Sequence, residues 1–565
     1  MFCFIRSTIL YLILFVGLSF GIQKGFQHYY ASDDEVGAPT SLTFGMPSFL
    51  TQARTTQTGL LLSGMTAQNR RDWGAAWQHF STLNDKFDGN PTYALRAFTL
   101  ALGNGEYDQA LSIAEKLKTD FFDKDEEATR LESFDLVRLF LILNDVKAGK
   151  AEINLEQLKN GAVSKFITPI LNAWLNPQSD KENAKGKDPI QIYHMALAAD
   201  YHKDIKGANN LFDGLKTETL LPNQIDVMQA FHARHDMKDK LVNTDQEIAN
   251  KTANNDFHLN GVNSGLSLAF HDFARALMSE RAIDSALLFA RMASFMDVQS
   301  PSVYVTIGNV LKYQNQNNAA MIAYEKVDEN DSLYDTAVQN YVDILIQQDR
   351  LSDAESFLNQ AIELNGENPL YHYLIGGVYK EQDKFAKSIE AYDAAESWGL
   401  HDGELERELW PLYYSRAIAF DLDDRWDDAE RDLMTALDKF PNSPIILNYL
   451  GYAYADKNIN LDKAKEMISQ AVLAAPNDGY IIDSMGWILY RMGDYTEAVK
   501  YLERAARIRP YHMVINDHLG DAYWSVGRKL EAKYMWQRAV DYYDDTEEEQ
   551  QRMIDETRRK VKEGL

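Results

Sequence analysis

Residues 479–510 read GYIIDSMGWILYRMGDYTEAVKYLERAARIRP, and this stretch decides the fold. Small residues stand at Gly486 in its first half and at Ala498 in its second half. Two antiparallel helices approach closely only where side chains are small, and the bulky Leu502 then fills the space beside them. Pro510 ends the stretch because proline cannot continue a helix. The stretch therefore predicts one helix–turn–helix unit.

The same pattern recurs along the chain every 34 or 35 residues, apart from one step of 41 residues between Ser388 and Ala429. The small residues of the predicted second helices are Ala286, Ala320, Ala354, Ser388, Ala429, Ala464, Ala498 and Ala532. Another small residue precedes most of them, at Ala274, Gly308, Gly376, Ala417, Gly451, Gly486 and Gly520. Bulky residues follow at Tyr324, Leu358, Tyr392, Leu433, Ile468, Leu502 and Trp536. Each unit leaves an apolar face uncovered, so neighbouring units must stack.

This period and this pattern resemble the tetratricopeptide repeat, a helix–turn–helix unit whose length matches the interval seen here. The resemblance implies an all-α fold, a right-handed α-solenoid of stacked helix–turn–helix repeats in two blocks. Residues 448–539 include NYLGYAYADKNINLDKAKEMI and NDHLGDAYWSVGRKLEAKYMWQRA. This block is similar to the C-terminal block of exported alphaproteobacterial tetratricopeptide-repeat proteins of unassigned function.

The N-terminal half carries the pattern more weakly. Ala76 and Ala110 are one period apart, whereas Ala151 and Ala208 follow at irregular steps. The step from Ala151 to Ala208 is 57 residues long and leaves room for an extra helix, which we predict at residues 166–175. We expect each block to be stabilised by stacking between units that are neighbours in sequence.

The domain organisation follows from where the period breaks. We expect a degenerate repeat block at residues 57–236, an irregular polar connector at 237–264 and about eight repeats at 265–545. The connector is predicted because residues 243–260 are polar and rich in asparagine. Residues 546–565 are predicted to form a capping helix, in which Thr546 and Glu549 match a capping box.

The N-terminus has the pattern of an export signal. A charge-free apolar run at residues 7–21 follows Arg6 and is short for a bilayer span. Residues 1–21 are therefore predicted to be a signal peptide cleaved after Gly21, with residues 22–56 as a linker. The alternative is an uncleaved anchor through residues 7–22. A cleaved signal peptide predicts a free periplasmic protein, and an uncleaved anchor predicts one attached to the inner membrane that faces the periplasm. A third hypothesis is that the protein stays in the cytoplasm.

Composition narrows the function of the 565-residue chain. Its net charge is −27, which argues against a nucleic-acid partner because such partners need a basic face. Its one cysteine excludes a disulfide framework and a multi-cysteine metal site. We find no catalytic motif and predict no catalytic, cofactor-binding or metal-binding residue. His232 and His235 form an HxxH pair, which we interpret as two partly exposed helix histidines.

The resemblance implies a binding surface, because the first helices of such repeats line a concave groove. The predicted groove positions combine aromatic, acidic and amide side chains: Asn448, Tyr449, Tyr452, Asp483, Trp487, Tyr490, Asp517, His518, Asp521 and Trp524. Tyrosine and tryptophan are the usual anchors of protein interfaces. Chaperone-binding members of the family hold a C-terminal carboxylate with a clamp of Lys, Asn and Arg. The groove positions named above lack the lysine and arginine of that clamp, which argues against a partner of this class.

These observations leave three hypotheses for the function. The first is a non-enzymatic scaffold of the bacterial envelope that binds segments of partner proteins in the groove. The second is a dedicated accessory subunit of an envelope assembly, cell-wall or secretion machine. The third is an enzyme with an unrecognised catalytic segment in residues 120–265.

Overall fold

The computed structural model describes residues 56–87, 90–122, 134–158, 161–176, 187–235, 237, 261–399, 410–543 and 548–565. Across these ranges the chain forms 26 α-helices, three short 3-10 or π-helical turns and no strand. The predicted all-α class is therefore confirmed. The chain divides into two compact units, Met1–Ile344 and Leu345–Leu565.

The described part of unit 1 holds thirteen whole helices and most of a fourteenth. They are α1 (Gln57–Asn69), α2 (Trp73–Lys86), α3 (Pro91–Asn104), α4 (Tyr107–Leu117), α5 (Asp135–Lys147), α6 (Ala162–Leu175), α7 (Pro189–Tyr201), α8 (Ile205–Asp213), α9 (Pro222–Arg234), α10 (Val262–Ser279), α11 (Ile283–Met296), α12 (Pro301–Tyr313), α13 (Asn317–Tyr324) and α14 (Tyr334–Gln347).

Unit 2 is a run of helix pairs that ends in a single helix. Its helices are α15 (Leu351–Leu364), α16 (Pro369–Glu381), α17 (Phe385–Gly399), α18 (Trp410–Leu422), α19 (Trp426–Lys439), α20 (Pro444–Asp456), α21 (Leu461–Ala474), α22 (Gly479–Arg491), α23 (Tyr495–Ile508), α24 (Met513–Ser525), α25 (Lys529–Asp541) and α26 (Glu548–Glu563). From α16 onward the two helices of each pair pack together, and each pair packs on the next.

The predicted small-and-large pairing holds the two helices of a repeat together. A Cβ atom at Gly486 would lie 2.5 Å from Leu502 Cγ, and one at Gly520 would lie 2.4 Å from Trp536 Cδ1. Gly308 meets Tyr324 in the same way. The small residues of the second helices are all completely buried: Ala286, Ala320, Ala354, Ser388, Ala429, Ala464, Ala498 and Ala532. The repeat pattern is therefore confirmed as a packing pattern.

The turn inside each helix pair carries a backbone feature that the sequence analysis did not identify. A residue with positive φ stands two or three positions before the second helix of each pair. In the regular pairs these residues are Arg281, Asn315, Asp349, Asp383, Asp424, Asn458, Gly493 and Gly527. Glycine, asparagine and aspartate tolerate this left-handed conformation best, and it lets the chain reverse direction within a few residues.

Unit 1 departs from the predicted stacking of sequence neighbours. Helices α3 and α5 pack on α11, while α6 and α7 pack on α10. Arg291 Nε donates to the Gly103 carbonyl at 3.1 Å, and Trp73 Nε1 donates to Gln314 Oε1 at 3.0 Å. The prediction of nearest-neighbour stacking in the N-terminal half is therefore incomplete, because most consecutive helices there do pack together but contacts between distant segments of the chain add to them. The α10–α11 pair has buried residues around most of its surface because two groups of N-terminal helices pack against it.

Two local predictions in this half have opposite outcomes. The extra helix expected at 166–175 is present as α6, and its Trp174 is completely buried. Ala151, by contrast, does not mark a repeat, because it is exposed in a bend after α5. The prediction at Ala151 is wrong because the pattern uses only residue size, and an exposed alanine is as small as a buried one.

Several predictions concern segments outside the described residues. The signal peptide or anchor at 1–21, almost all of the linker at 22–56, most of the connector at 237–264, and Thr546 belong to this group. The block boundaries stay predictions, and the division between compact units falls instead within α14. Of the residues that the structure describes, none lies in a helix both long and apolar enough to cross a membrane.

Candidate partner-binding groove

A row of half-buried aromatic side chains follows the first helices of successive repeats in unit 2. We name Tyr414, Tyr449, Tyr452, Trp487 and Tyr490 the aromatic stripe. The rings of Tyr414 and Tyr449 are 5.8 Å apart and nearly perpendicular, and those of Trp487 and Tyr490 stack at 5.0 Å. The Tyr414–Tyr449 contact joins two repeats, and α20 packs on α22, so the stripe runs over three successive first helices.

One end of the stripe is fixed by a polar network. The Tyr449 hydroxyl donates to Asp421 Oδ2 at 3.0 Å, and Lys457 Nζ lies 3.0 Å from Asp421 Oδ1. Burial raises the pKa of Tyr414 to about 12, which keeps its hydroxyl protonated. Tyr414 and Asp421 were missed by the sequence analysis. They stand three positions before and four positions after Ala417, as Asp483 and Tyr490 do around Gly486, so the same spacing would have found both.

The other end of the stripe contains a stacked ring pair with a buried acid behind it. The Trp487 indole lies 4.0 Å from the His518 imidazole at an angle of 11°. His518 Nδ1 is 2.9 Å from Asp483 Oδ2. Asp483 thus orients the imidazole, and the imidazole holds the indole flat. These three predicted positions come together as one unit.

Three buried polar atoms near the stripe make no hydrogen bond within the described part of the chain. They are Asn448 Oδ1, Asp483 Oδ1 and Trp487 Nε1. A buried polar atom without a partner costs about 1–3 kcal/mol. Asn448 and Asp483 occupy equivalent positions of consecutive repeats, so the feature recurs with the repeat itself. Because these atoms are buried, a ligand at the surface of the stripe does not reach them, and they belong to the packing under the rings.

The last repeat is covered by the chain's own C-terminal helix. Lys560 Nζ on α26 lies 2.7 Å from Asp517 Oδ2 and 2.8 Å from Asp521 Oδ2. Trp536 Nε1 donates to Asp521 Oδ1 at 2.8 Å, and Gly564 packs directly on the Trp524 ring. Asp517, Asp521 and Trp524 therefore contact α26 and the residue that follows it. This C-terminal segment occupies the place that the sequence assigned to a partner at this repeat.

The charges of this cluster shift one another's protonation. Burial, reinforced by the neighbouring Asp517 carboxylate, raises the pKa of Asp521 to about 6 despite the Lys560 ammonium. Burial alone would lower the pKa of Lys560, but Asp517 and Asp521 together raise it. Lys560 comes from a helix outside the repeats. No sequence pattern could have assigned it, because its position depends on how α26 docks.

Unit 1 holds a second buried polar cluster that does not belong to the stripe. Asp272 Oδ2 accepts from Gln224 Nε2 at 2.7 Å and lies 3.3 Å from His194 Nε2. Burial would raise the pKa of Asp272, but the bonds from His194 and Gln224 lower it overall. Its neighbour His271 has its pKa lowered to about 4 by burial. The cluster ties α7, α9 and α10 together.

The HxxH pair differs from its interpretation as two partly exposed histidines. His232 is buried, whereas the His235 side chain is partly exposed and its Nε2 lies 3.3 Å from Asp200 Oδ1. The prediction is therefore wrong for His232, whose ring packs beside Phe212 and Phe231. Among the described residues, no three His, Cys, Asp or Glu side chains are grouped so that they could hold a metal ion.

Comparison with known proteins identifies the repeat. Residues 301–332 and 481–512 each match a family model described as tetratricopeptide repeat. The TPR repeat-containing protein PA4667 of Pseudomonas aeruginosa is 27% identical over 223 residues, which are 39% of this chain and 36% of that protein. The chain thus spans well under half the length of this relative.

Two solved structures align with the chain at low TM-score. A chain of the APC/C hetero-tetramer Cut9-Hcn1 aligns over 90% of this chain and 98% of its own length, with 12% identity and a TM-score of 0.38. A tetratricopeptide repeat protein from Parabacteroides merdae aligns over 46% of this chain and 99% of its own, with 14% identity and a TM-score of 0.36. Residues 301–332 and 481–512 are thus tetratricopeptide repeats, and both lie among the helix pairs that the structure shows.

Proposed function

We propose that the protein is a non-enzymatic scaffold that binds segments of partner proteins along the aromatic stripe. The observation that carries the proposal is the stripe itself, a row of half-buried rings on three successive first helices. Tyrosine and tryptophan lose little conformational entropy on binding and bury a large area, so they dominate interface energetics.

The partner would contact the stripe between Tyr414 and Tyr490. The last repeat is unsuited to it as long as α26 covers Asp517, Asp521 and Trp524. The binding surface that we propose is therefore shorter than the predicted groove. It includes Asn448, Tyr449, Tyr452, Trp487 and Tyr490 from the predicted set.

A double substitution tests this function. Trp487→Ala together with Tyr452→Ala removes two rings of the stripe, and we expect loss of the proteins retained from an envelope extract by immobilised full-length chain. The control is Tyr313→Ala, which removes an aromatic ring that is 58% exposed on α12, outside the stripe. Unchanged retention by the double variant, with helicity intact by circular dichroism, would refute the assignment of the stripe.

We further propose that the scaffold works in the bacterial envelope. The support is the charge-free apolar run at residues 7–21 behind Arg6. A reporter that is active only in the periplasm, fused after residue 60, should be active in cells that express the fusion. An inactive reporter, with the fusion protein present at normal level, would favour the cytoplasmic reading and leave the stripe proposal untouched.

A further inference from the structure

A second surface of unit 2 combines exposed tyrosines with arginines at the turns between repeats. It consists of Tyr480, Arg504, Arg509, Tyr511, Arg538 and Tyr542, which we name the arginine–tyrosine edge. Tyr511 is 71% exposed, Tyr480 43% and Tyr542 37%. These residues lie where a second helix ends and the next first helix begins, so the edge is separate from the aromatic stripe.

The same hydrogen bond from an arginine to a turn carbonyl recurs in two consecutive repeats of the edge. Arg504 donates to the Pro476 carbonyl, and Arg538 Nη2 donates to the Pro510 carbonyl at 2.7 Å. Each arginine on a second helix thus binds the turn that precedes its own repeat. The carbonyl fixes one side of the guanidinium and leaves its other N–H groups for further bonds, because arginine has five donors.

Ring contacts join the two turns into one surface. The Arg509 guanidinium lies 4.7 Å from the centre of the Tyr480 ring, and the Arg538 guanidinium lies 5.7 Å from that of Tyr542. Tyr511 and Tyr542 are 5.1 Å apart with their planes at 74°. Cation–π contacts of this kind hold an arginine in place without neutralising its charge.

The charge of these arginines is not balanced by the described part of the chain. Elsewhere in unit 2, Arg416 pairs with Asp432, Arg425 with Asp428, and Arg528 with Glu531. Arg504, Arg509 and Arg538 form no ion pair among the described residues, and neither does the adjacent exposed Arg507. Residues 504–512, RAARIRPYH, contain three arginines and no acid in a chain of net charge −27.

We propose that the arginine–tyrosine edge binds an acidic segment of a partner protein, one that carries several carboxylates with apolar side chains between them. Carboxylates match the planar guanidinium donors, and the tyrosine rings cover the intervening apolar groups. A narrow segment fits better than an anionic membrane. A broad anionic surface would be repelled by the net charge of −27 and by Asp478 and Asp541 beside the edge.

The test uses full-length protein and defined probes. The first probe is a fluorescently labelled peptide of alternating Glu and Leu, and the second has Gln at every Glu; binding is measured by fluorescence anisotropy. Vesicles of phosphatidylglycerol and phosphatidylcholine, measured by co-sedimentation, are the third. We expect the Glu peptide to bind at least about tenfold more tightly than the Gln peptide, with affinity falling as salt is raised.

The decisive variant is Arg507→Gln with Arg509→Gln, which should weaken binding of the Glu peptide by roughly tenfold or more. Its matched control is Arg350→Gln with Arg431→Gln, which removes the same charge from exposed arginines that pair with acids. Equal binding of both peptides, no binding at millimolar concentration, or equal loss in both variants would overturn the proposal. Edge-dependent binding of vesicles but not of the Glu peptide would overturn it as well.

Discussion

At the scale of the residue, the fold depends on a small residue at one position in most first helices, and at several of them on a glycine. Gly376 faces the Tyr392 ring, and a Cβ atom there would lie 2.7 Å from Tyr392 Cε1. Tyr392 is almost completely buried and cannot move aside. The pairing was predictable from sequence because it needs one small and one large residue at a fixed spacing, and the sequence gives both residue size and spacing directly.

Gly376 and its neighbour Gly377 offer a matched test of this pairing. We expect Gly376→Ala to lower the free energy of unfolding by about 1–3 kcal/mol through overpacking. Gly377→Ala places its Cβ 3.8 Å from the Tyr392 hydroxyl, an ordinary contact. It should be neutral or stabilise by up to about 1 kcal/mol, because alanine favours the helix. Urea denaturation measures both, and equal effects would contradict the pairing.

At the scale of the element, sequence and structure agree on the helices but not on what lies between and beyond them. The left-handed turn residues escaped the sequence analysis because Asp349, Asp383 and Asp424 read as ordinary polar residues in an acidic chain. The docking of α26 also escaped it, although its polar composition predicted a terminal helix. A helix that docks through Lys560 and Thr557 on two buried acids has no local signature.

The docking of α26 should depend on pH through Asp521. Its pKa is raised from 3.8 to about 6 in the folded protein, so the folded state binds the proton more tightly than the unfolded state. This contribution to stability is complete below the unfolded pKa and is lost as the pH rises through the folded value. The free energy of unfolding of the wild type, relative to Asp521→Asn, should therefore fall between about pH 4 and pH 6.5.

We expect a relative decrease on the order of 1–3 kcal/mol across that range. Asp521→Asn is the suitable reference because its amide oxygen can still accept the bond from Trp536 while the charge is gone. Urea denaturation of both proteins at several pH values gives the comparison. A difference that stays constant with pH, or one that grows as the pH rises, would show that Asp521 titrates normally.

At the scale of the whole molecule, the sequence predicts the repeats better than their arrangement in unit 1. The period identifies which residues pack within a pair, since those contacts are local. It cannot tell that α3 and α5 pack on α11, because that contact joins segments far apart along the chain. The candidate site follows the same division, since most rings of the stripe were predictable and the cover over the last repeat was not.

Binding of partner proteins on the aromatic stripe, as we propose it, can be tested in cells. The most direct measurement is to introduce a photo-crosslinking amino acid at position 452 or at position 313 of the full-length chain in cells, and to compare the adducts by mass spectrometry. We expect a discrete protein adduct at position 452 and none at position 313. The same adducts at both positions, or none at position 452, would contradict it.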